Sequence, residues 1–148
     1  MKSINQMKVS FKSLSVNEGF ARVAVASFIS SLDPTTTEIA DIKTAVSEAV
    51  TNCIVHAYRD TIGVITIHTR IYENRRVVIT IKDKGCGIEN IEKAIEPLFT
   101  TLPDEERSGL GFSVMQSFTD KMRVRSKIGR GTSVVLEKIL SVRQSANE

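Results

Sequence analysis

Three polar side chains recur every fourth residue in the stretch EAVTNCIVHAY, which otherwise has the apolar composition of a partly buried helix. They are Glu48, Asn52 and His56, and residues four apart lie on one face of a helix. A carboxylate with a usual pKa of about 4.3 is ionised at pH 7 and can accept a proton, while a neutral amide oxygen can ligate Mg²⁺. We therefore predict a functional role for Glu48 and Asn52. For His56 alone the pattern favours a solvated helix face, and we assign it a packing role.

A pair of glycines follows a predicted strand in the stretch DKGCGI, which begins at Asp83. Gly85 and Gly87 allow the backbone to bend tightly and to approach a ligand closely. Taken alone, the D-x-G-x-G pattern is common in tight turns and favours an ordinary turn over a ligand site.

A second glycine pair, Gly109 and Gly111, opens a predicted helix in the stretch RSGLGF. Backbone N–H groups at a helix N-terminus suit phosphate, and glycine permits close approach. The stretch is not a P-loop, because no G-K-[ST] follows, and Val114 occupies the third glycine position of G-x-G-x-x-G. By itself it indicates a helix cap as often as a phosphate cradle.

The elements around these residues predict a two-layer α/β domain, with helices on one face of an antiparallel or mixed sheet. Strands are predicted near 7–11, at 64–72 and 75–82, and in a hairpin of 122–128 with 132–140. Helices are predicted at 16–32, from a cap at Thr35 or Thr36 to about 58, at 88–95 and at 111–119. A long loop at 96–109 and a frayed tail at 141–148 complete a single domain of residues 1–140.

The composition of the 148 residues limits the classes of function. Hydrophobic residues make up 41% and aromatic residues 5%, which predicts one domain with an aliphatic core. A net charge of +3 is too mild to imply direct nucleic-acid binding. The two cysteines, Cys53 and Cys86, form no C-x-x-C pair, so a sulfur-bound metal is not expected. The absence of a signal peptide and of a membrane-length apolar run predicts a cytoplasmic location without membrane association.

The order of the motifs is more specific than any one of them. E-x-x-x-N on a helix, D-x-G-x-G after a strand and G-x-G opening a later helix resemble the GHKL ATPases, which share the Bergerat ATP-binding fold. The stretches SEAVTNCIVHAY, DKGCGI, PLFTT, ERSGLGF and FARVAVASFISSLDPT are similar to the anti-sigma F family of sporulation serine kinases. This resemblance covers nearly the whole chain.

The resemblance implies a kinase that transfers phosphate from ATP, with Mg²⁺, to a protein serine. Asp83 would accept a hydrogen bond from the adenine amino group, assisted through water by Thr132, and Asn52 would hold Mg²⁺. Glu48 would be the base for the acceptor serine, and Arg107 would lie in a lid near the γ-phosphate. The other nucleotide-binding positions that it implies are Gly85, Gly87, Thr100, Thr101, Ser108, Gly109 and Gly111.

The implied partners are a sigma factor of the sigma F type, an anti-anti-sigma protein as substrate, and a second copy of the chain in a homodimer. Arg22 matches a partner-surface position, although an exposed arginine on a helix is equally typical of simple solvation. Three alternatives stay open. They are a histidine-kinase catalytic domain that acts in trans, a non-catalytic ATP-dependent module that binds a sigma factor, and an anti-sigma kinase of a stress-response pathway.

Overall fold

The computed structural model describes residues 2–95 and 111–142, and their strands form one five-stranded sheet in the order β1-β2-β3-β5-β4. The strands are β1 (Asn5–Lys12), β2 (Val64–Tyr72), β3 (Arg76–Lys82), β4 (Lys121–Lys127) and β5 (Gly131–Ile139). The helices are α1 (Asn17–Ile29), α2 (Thr36–Asn52), α3 (Ile91–Ile95) and α4 (Phe112–Phe118). The predicted two-layer fold is confirmed, and the described strand pairs are all antiparallel rather than mixed.

One face of the sheet carries the hydrophobic core. Ile67 of β2 lies opposite Ile81 of β3, and Ile81 lies opposite Val134 of β5, so a row of aliphatic side chains crosses the sheet. All three are buried, and alternate residues such as His68 lie on the other face because side chains alternate along a strand. The helices of the described residues therefore cover the side of the sheet that carries the core.

The start of α2 is fixed by a capping box. The Thr35 side chain accepts a hydrogen bond from the backbone N–H of Glu38 at 3.1 Å, and the Glu38 carboxylate accepts one from the Thr35 N–H at 2.9 Å. The other Glu38 oxygen accepts a bond from the Ser141 N–H at 2.7 Å. Burial alone would raise the pKa of Glu38, but these hydrogen bonds outweigh it and lower the pKa below its usual value. Of the two predicted N-cap residues, Thr35 is the one that caps the helix in the structure.

Phe20, Val23, Ala24 and Phe28 recur at helical spacing in the sequence, but the residues that α1 buries differ from that set. Phe20 and Val23 are 51% and 57% exposed, while Ala21, Val25 and Ile29 pack into the core. The helix is apolar around much of its circumference, so spacing alone did not select the correct face. Small side chains on the true face let α1 pack closely against α2.

The end of α2 also departs from prediction. The helix is α-helical only to Asn52, and a π-helical turn spans Cys53–Ala57, closed by a hydrogen bond from the Tyr58 N–H to the Cys53 carbonyl at 3.0 Å. Such turns are frequent at functional sites. The predicted loop at 96–109 and the end of the predicted tail lie outside the described residues. Within the described parts of the chain, no helix is long and apolar enough to span a membrane.

Candidate functional site

A cleft of about 700 Å³ lies beside α2, its π-helical turn, the loop after β3 and the β4–β5 hairpin. Its apolar lining residues are Ala49, Ala57, Ile88, Phe112, Ile128 and Val134. Polar and charged side chains also line the cleft, at Asn52, His56, Arg59, Asp60, Asp83, Glu89 and Thr132. Apolar walls with a few placed polar groups are the usual construction of a small-molecule site.

Three hydrogen bonds fix the orientation of the Asp83 side chain in the cleft. The residue is only 7% exposed. Its Oδ1 atom accepts hydrogen bonds from the backbone N–H groups of Gly85 at 2.9 Å and Thr132 at 3.2 Å. Its Oδ2 atom accepts one from the Cys53 thiol at 3.5 Å. An ionised carboxylate has acceptors only, so Asp83 suits a ligand that presents an N–H donor.

Cys53 and Tyr58 hold the loop that carries Asp83. Burial, and then the neighbouring Asp83 charge, raise the pKa of the Cys53 thiol well above its usual value, so it stays protonated and donates. The Tyr58 hydroxyl accepts a bond from the Lys84 N–H at 2.6 Å and donates one to the Val64 carbonyl at 2.8 Å. Burial also raises the pKa of Tyr58, so this bridge persists across the neutral pH range.

The π-helical turn supplies a further anchor for the same loop. The Cys86 N–H donates to the Ala57 carbonyl at 3.1 Å, and the Cys86 carbonyl accepts from the Gly129 N–H at 2.9 Å. The Ile88 N–H donates to the Ser126 hydroxyl at 2.8 Å. The loop is thus fixed on one side to α2 and on the other to the β4–β5 hairpin.

Both glycines of the D-x-G-x-G pattern are required by this packing. A Cβ atom on Gly85 would overlap the Ala57 carbonyl, and one on Gly87 would overlap the Lys127 carbonyl. Gly87 also has a φ of +82°, which side chains rarely adopt. The close approach that the sequence predicted is made here to the protein's own backbone, and Gly87 lines the cleft as well.

The polar stripe of α2 runs along one side of the cleft. Asn52 lines it, and His56 lines it from the π-helical turn, while the packing role assigned to His56 stays a prediction. Glu48 is half-buried one turn before Asn52. Its carboxylate lies against the backbone of Gly111, where a Cβ atom would overlap it and where φ is +59°. Gly111 therefore brings the start of α4 directly onto Glu48.

The other predicted site residues fall in three places. Thr132 lines the cleft, and its hydroxyl is 2.8 Å from the Ser126 hydroxyl. Arg22 lies outside the cleft on α1, exposed and 3.8 Å from the Glu18 carboxylate. The predicted residues that lie outside the described ranges are Thr100, Thr101, Arg107, Ser108 and Gly109.

Two residues that hold the Asp83 loop, Cys53 and Tyr58, were not predicted, and neither were the apolar lining residues Ile88, Phe112 and Ile128. The sequence places Cys53 on the apolar side of the predicted helix and Tyr58 near its end, and neither position indicates a role in the site. The hydrogen bonds of Cys53 to Asp83 and of Tyr58 to Lys84 span 30 and 26 positions of the sequence. No local spacing marks such contacts. The polar atoms that each side chain places inside an apolar environment were the available signal.

The fold and the cleft define a histidine kinase-like ATPase domain, and a model of the family with that description matches residues 13–138. The chain belongs to the anti-sigma F factor family within that class. It is 56% identical to the anti-sigma F factor of Caldanaerobacter subterraneus subsp. tengcongensis, over 92% of this chain and 94% of the relative. It is 55% identical to that of Clostridium acetobutylicum, over 90% and 93%.

The fold is also that of a solved structure. The chain is similar to the RsbU and RsbW domains of Rv1364c from Mycobacterium tuberculosis, with a TM-score of 0.68 and 16% identity. The match covers 94% of this chain and 33% of that one. The likeness at this identity concerns the fold alone.

Proposed function

We propose that this chain is an ATP-dependent protein-serine kinase that also binds and inhibits a sigma factor, and that its phosphate acceptor is a serine of an anti-anti-sigma protein. One observation supports the kinase activity. Asp83, an oriented acceptor, and Asn52 lie in one apolar cleft, and Glu48 lies one turn before Asn52. The names of the relatives supply the sigma factor as partner.

The cleft fits the adenine ring. A flat ring with one exocyclic amino group needs apolar surfaces for its faces and an acceptor at its edge. The apolar surfaces are offered by Ile88, Phe112 and Ile128. The acceptor at the edge is the carboxylate of Asp83, which three donors already orient. Thr132 lies beside it and would assist from its hydroxyl.

Mg²⁺ would be held by one protein ligand and by the phosphates. The described residues contain no cluster of three or more histidine, cysteine or acidic side chains, which disfavours a cage built from the protein alone. Mg²⁺ characteristically uses one or two protein oxygens with substrate phosphates, and the amide oxygen of Asn52 fits that pattern. The bound ion would neutralise phosphate charge.

Glu48 would act as the general base. Transfer forms a bond between the serine oxygen and the γ-phosphorus, breaks the bond to ADP, and releases the serine proton. Glu48 lies one turn before Asn52 and beside Gly111, so its carboxylate is placed between the metal ligand and the start of α4. Such transfers depend mainly on positioning and charge neutralisation. We assign Arg107 to the γ-phosphate, and Thr100, Thr101, Ser108, Gly109 and Gly111 to the phosphates.

The partner surface would include Arg22. Around it, Val16 at the N-cap of α1 and Phe20 and Val23 on the helix are exposed, and contiguous exposed apolar residues mark interaction surfaces. The surface is also connected to the site, because Glu18 pairs with Arg22 and accepts a hydrogen bond from Ser47, the residue before Glu48. A protein docked here would lie near the proposed base. By its family resemblance, we propose that the chain acts as a homodimer.

The test is to incubate the chain with γ-labelled ATP, Mg²⁺ and a candidate anti-anti-sigma protein, and to map the labelled residue. A labelled serine supports the proposal, whereas a labelled histidine would point to a histidine kinase acting in trans. Binding of the sigma factor is measured in parallel by calorimetry with ATP and with ADP. Sigma binding without any label transfer would leave a non-catalytic module.

A further inference from the structure

The two carboxylate oxygens of Asp83 have unequal surroundings. Oδ1 accepts from two backbone amides, those of Gly85 and Thr132, which occupy both of its lone pairs. Oδ2 accepts from the Cys53 thiol and keeps one lone pair for a ligand. The oxygen that would receive the adenine amino group is therefore the one that contacts Cys53.

We propose that Cys53 is a positioning residue for base recognition: its thiol holds Oδ2 of Asp83 in the orientation that accepts the adenine amino group. This inference rests on the proposed ATP site. It makes Cys53 a determinant of the preference for adenine over hypoxanthine, which carries a carbonyl oxygen in place of the amino group.

The position of the thiol is fixed by the backbone. The Cys53 N–H donates to carbonyls of the preceding helical turn, at Ala49 and Val50, and its carbonyl accepts from the Tyr58 N–H. The side chain is 4% exposed and lies at the junction of α2 with the π-helical turn. A donor with so little freedom can restrain a neighbouring carboxylate.

The carboxylate needs that restraint. The final torsion of an aspartate side chain is broad rather than confined to narrow wells, and the two amide bonds on Oδ1 hold one oxygen only. Among the hydrogen bonds found in residues 2–95 and 111–142, the one from Cys53 is the bond that meets Oδ2. Without it, the plane of the carboxylate could turn about the anchored oxygen.

The experiment compares dissociation constants for ATP and for ITP, the hypoxanthine nucleotide, in the wild type and in variants of Cys53. Cys53→Val removes the donor and adds volume. Cys53→Ala removes the donor without adding volume. Each should weaken ATP binding by about three- to tenfold while ITP binding stays the same, the size expected for one modest hydrogen bond. Cys53→Ser keeps a donor and should retain the preference of the wild type.

Val50→Ala is the matched control. Val50 is fully buried on the same helix and does not line the cleft, so its truncation should lower the melting temperature and leave the ratio of ATP to ITP affinity unchanged. In an Asp83→Asn background, Cys53→Ala should have no further effect on that ratio, because the oxygen it positions is gone.

If a folded Cys53→Ala protein kept the wild-type ratio of ATP to ITP affinity, the inference would be overturned. Equal losses of ATP and ITP affinity would overturn it as well. Neither result touches the proposed function, since the wild type would still bind ATP in preference to ITP. Failure of the wild type itself to prefer ATP would overturn both.

Discussion

Replacing Asp83 by asparagine keeps the shape of the side chain but exchanges one acceptor oxygen for an N–H₂ donor. The amide oxygen can keep the two backbone bonds from Gly85 and Thr132. The new N–H₂ group then occupies the position of Oδ2, where it faces the Cys53 thiol and the proposed adenine amino group, both of them donors. Asp83→Asn should therefore fold while losing its acceptor for the base.

The size of the effect follows from the bond that is lost. A hydrogen bond to a charged acceptor contributes about 1.5–3 kcal/mol, so ATP affinity should fall by roughly one to two decades. ITP offers a carbonyl oxygen to the new donor, and its affinity should fall less or rise. The preference for ATP over ITP should thus shrink, and it should shrink by more than the loss of ATP affinity if ITP affinity rises.

Calorimetric titration of both proteins with both nucleotides measures these changes, with circular dichroism as the check on folding. Equal ATP affinity in the wild type and the variant would place the adenine elsewhere. Parallel losses for ATP and ITP would show that Asp83 only holds the loop and does not read the base.

Three further perturbations test separate parts of the structure. Tyr58→Phe removes the acceptor for the Lys84 N–H and should lower the free energy of unfolding by about 1–3 kcal/mol, measured by urea denaturation; no loss would mean that the bridge does not hold the loop. Glu38→Gln keeps the capping box with Thr35 but not its charge. Because the pKa of Glu38 is lowered in the folded state, the stabilisation is present above its unfolded value of about 4.3 and is lost as the pH falls through the folded value; the melting temperatures of wild type and variant should differ at pH 7 and converge in acid. Arg22→Ala should weaken binding of the sigma factor and of the anti-anti-sigma protein with ATP affinity intact, and undiminished binding of both would remove α1 from the partner surface.

Local sequence patterns predicted those features of the fold that depend on residues close together in the sequence. Thr35 and Glu38 form a capping box because both partners lie within one turn, and the pattern T-x-x-E displays them. Asp83 was proposed as the adenine acceptor through the family resemblance, because the D-x-G-x-G pattern alone is typical of a tight turn. The strand at 64–72 matches β2 at both ends, since alternation and flanking turn residues mark it from both sides.

Long-range packing determined the rest. The exposed positions of Phe20 and Val23 depend on which face of α1 meets α2, and an apolar helix does not display that choice. The π-helical turn at Cys53–Ala57 allows the Ala57 carbonyl to meet the Cys86 N–H, a contact between distant segments. The bond between Cys53 and Asp83 arises in the same way. The predicted lid residue Arg107 lies outside the described ranges and stays a prediction.

The most direct test of the kinase proposal is a single-turnover measurement of phosphoryl transfer from saturating ATP to the anti-anti-sigma protein, with wild type and Glu48→Gln. The amide has nearly the shape of the carboxylate but cannot take the serine proton. ATP affinity should be unchanged and the rate should fall by about 10²–10⁴-fold. Transfer by Glu48→Gln at the wild-type rate, with ATP bound equally well, would contradict the assignment of the base and with it the proposed mechanism.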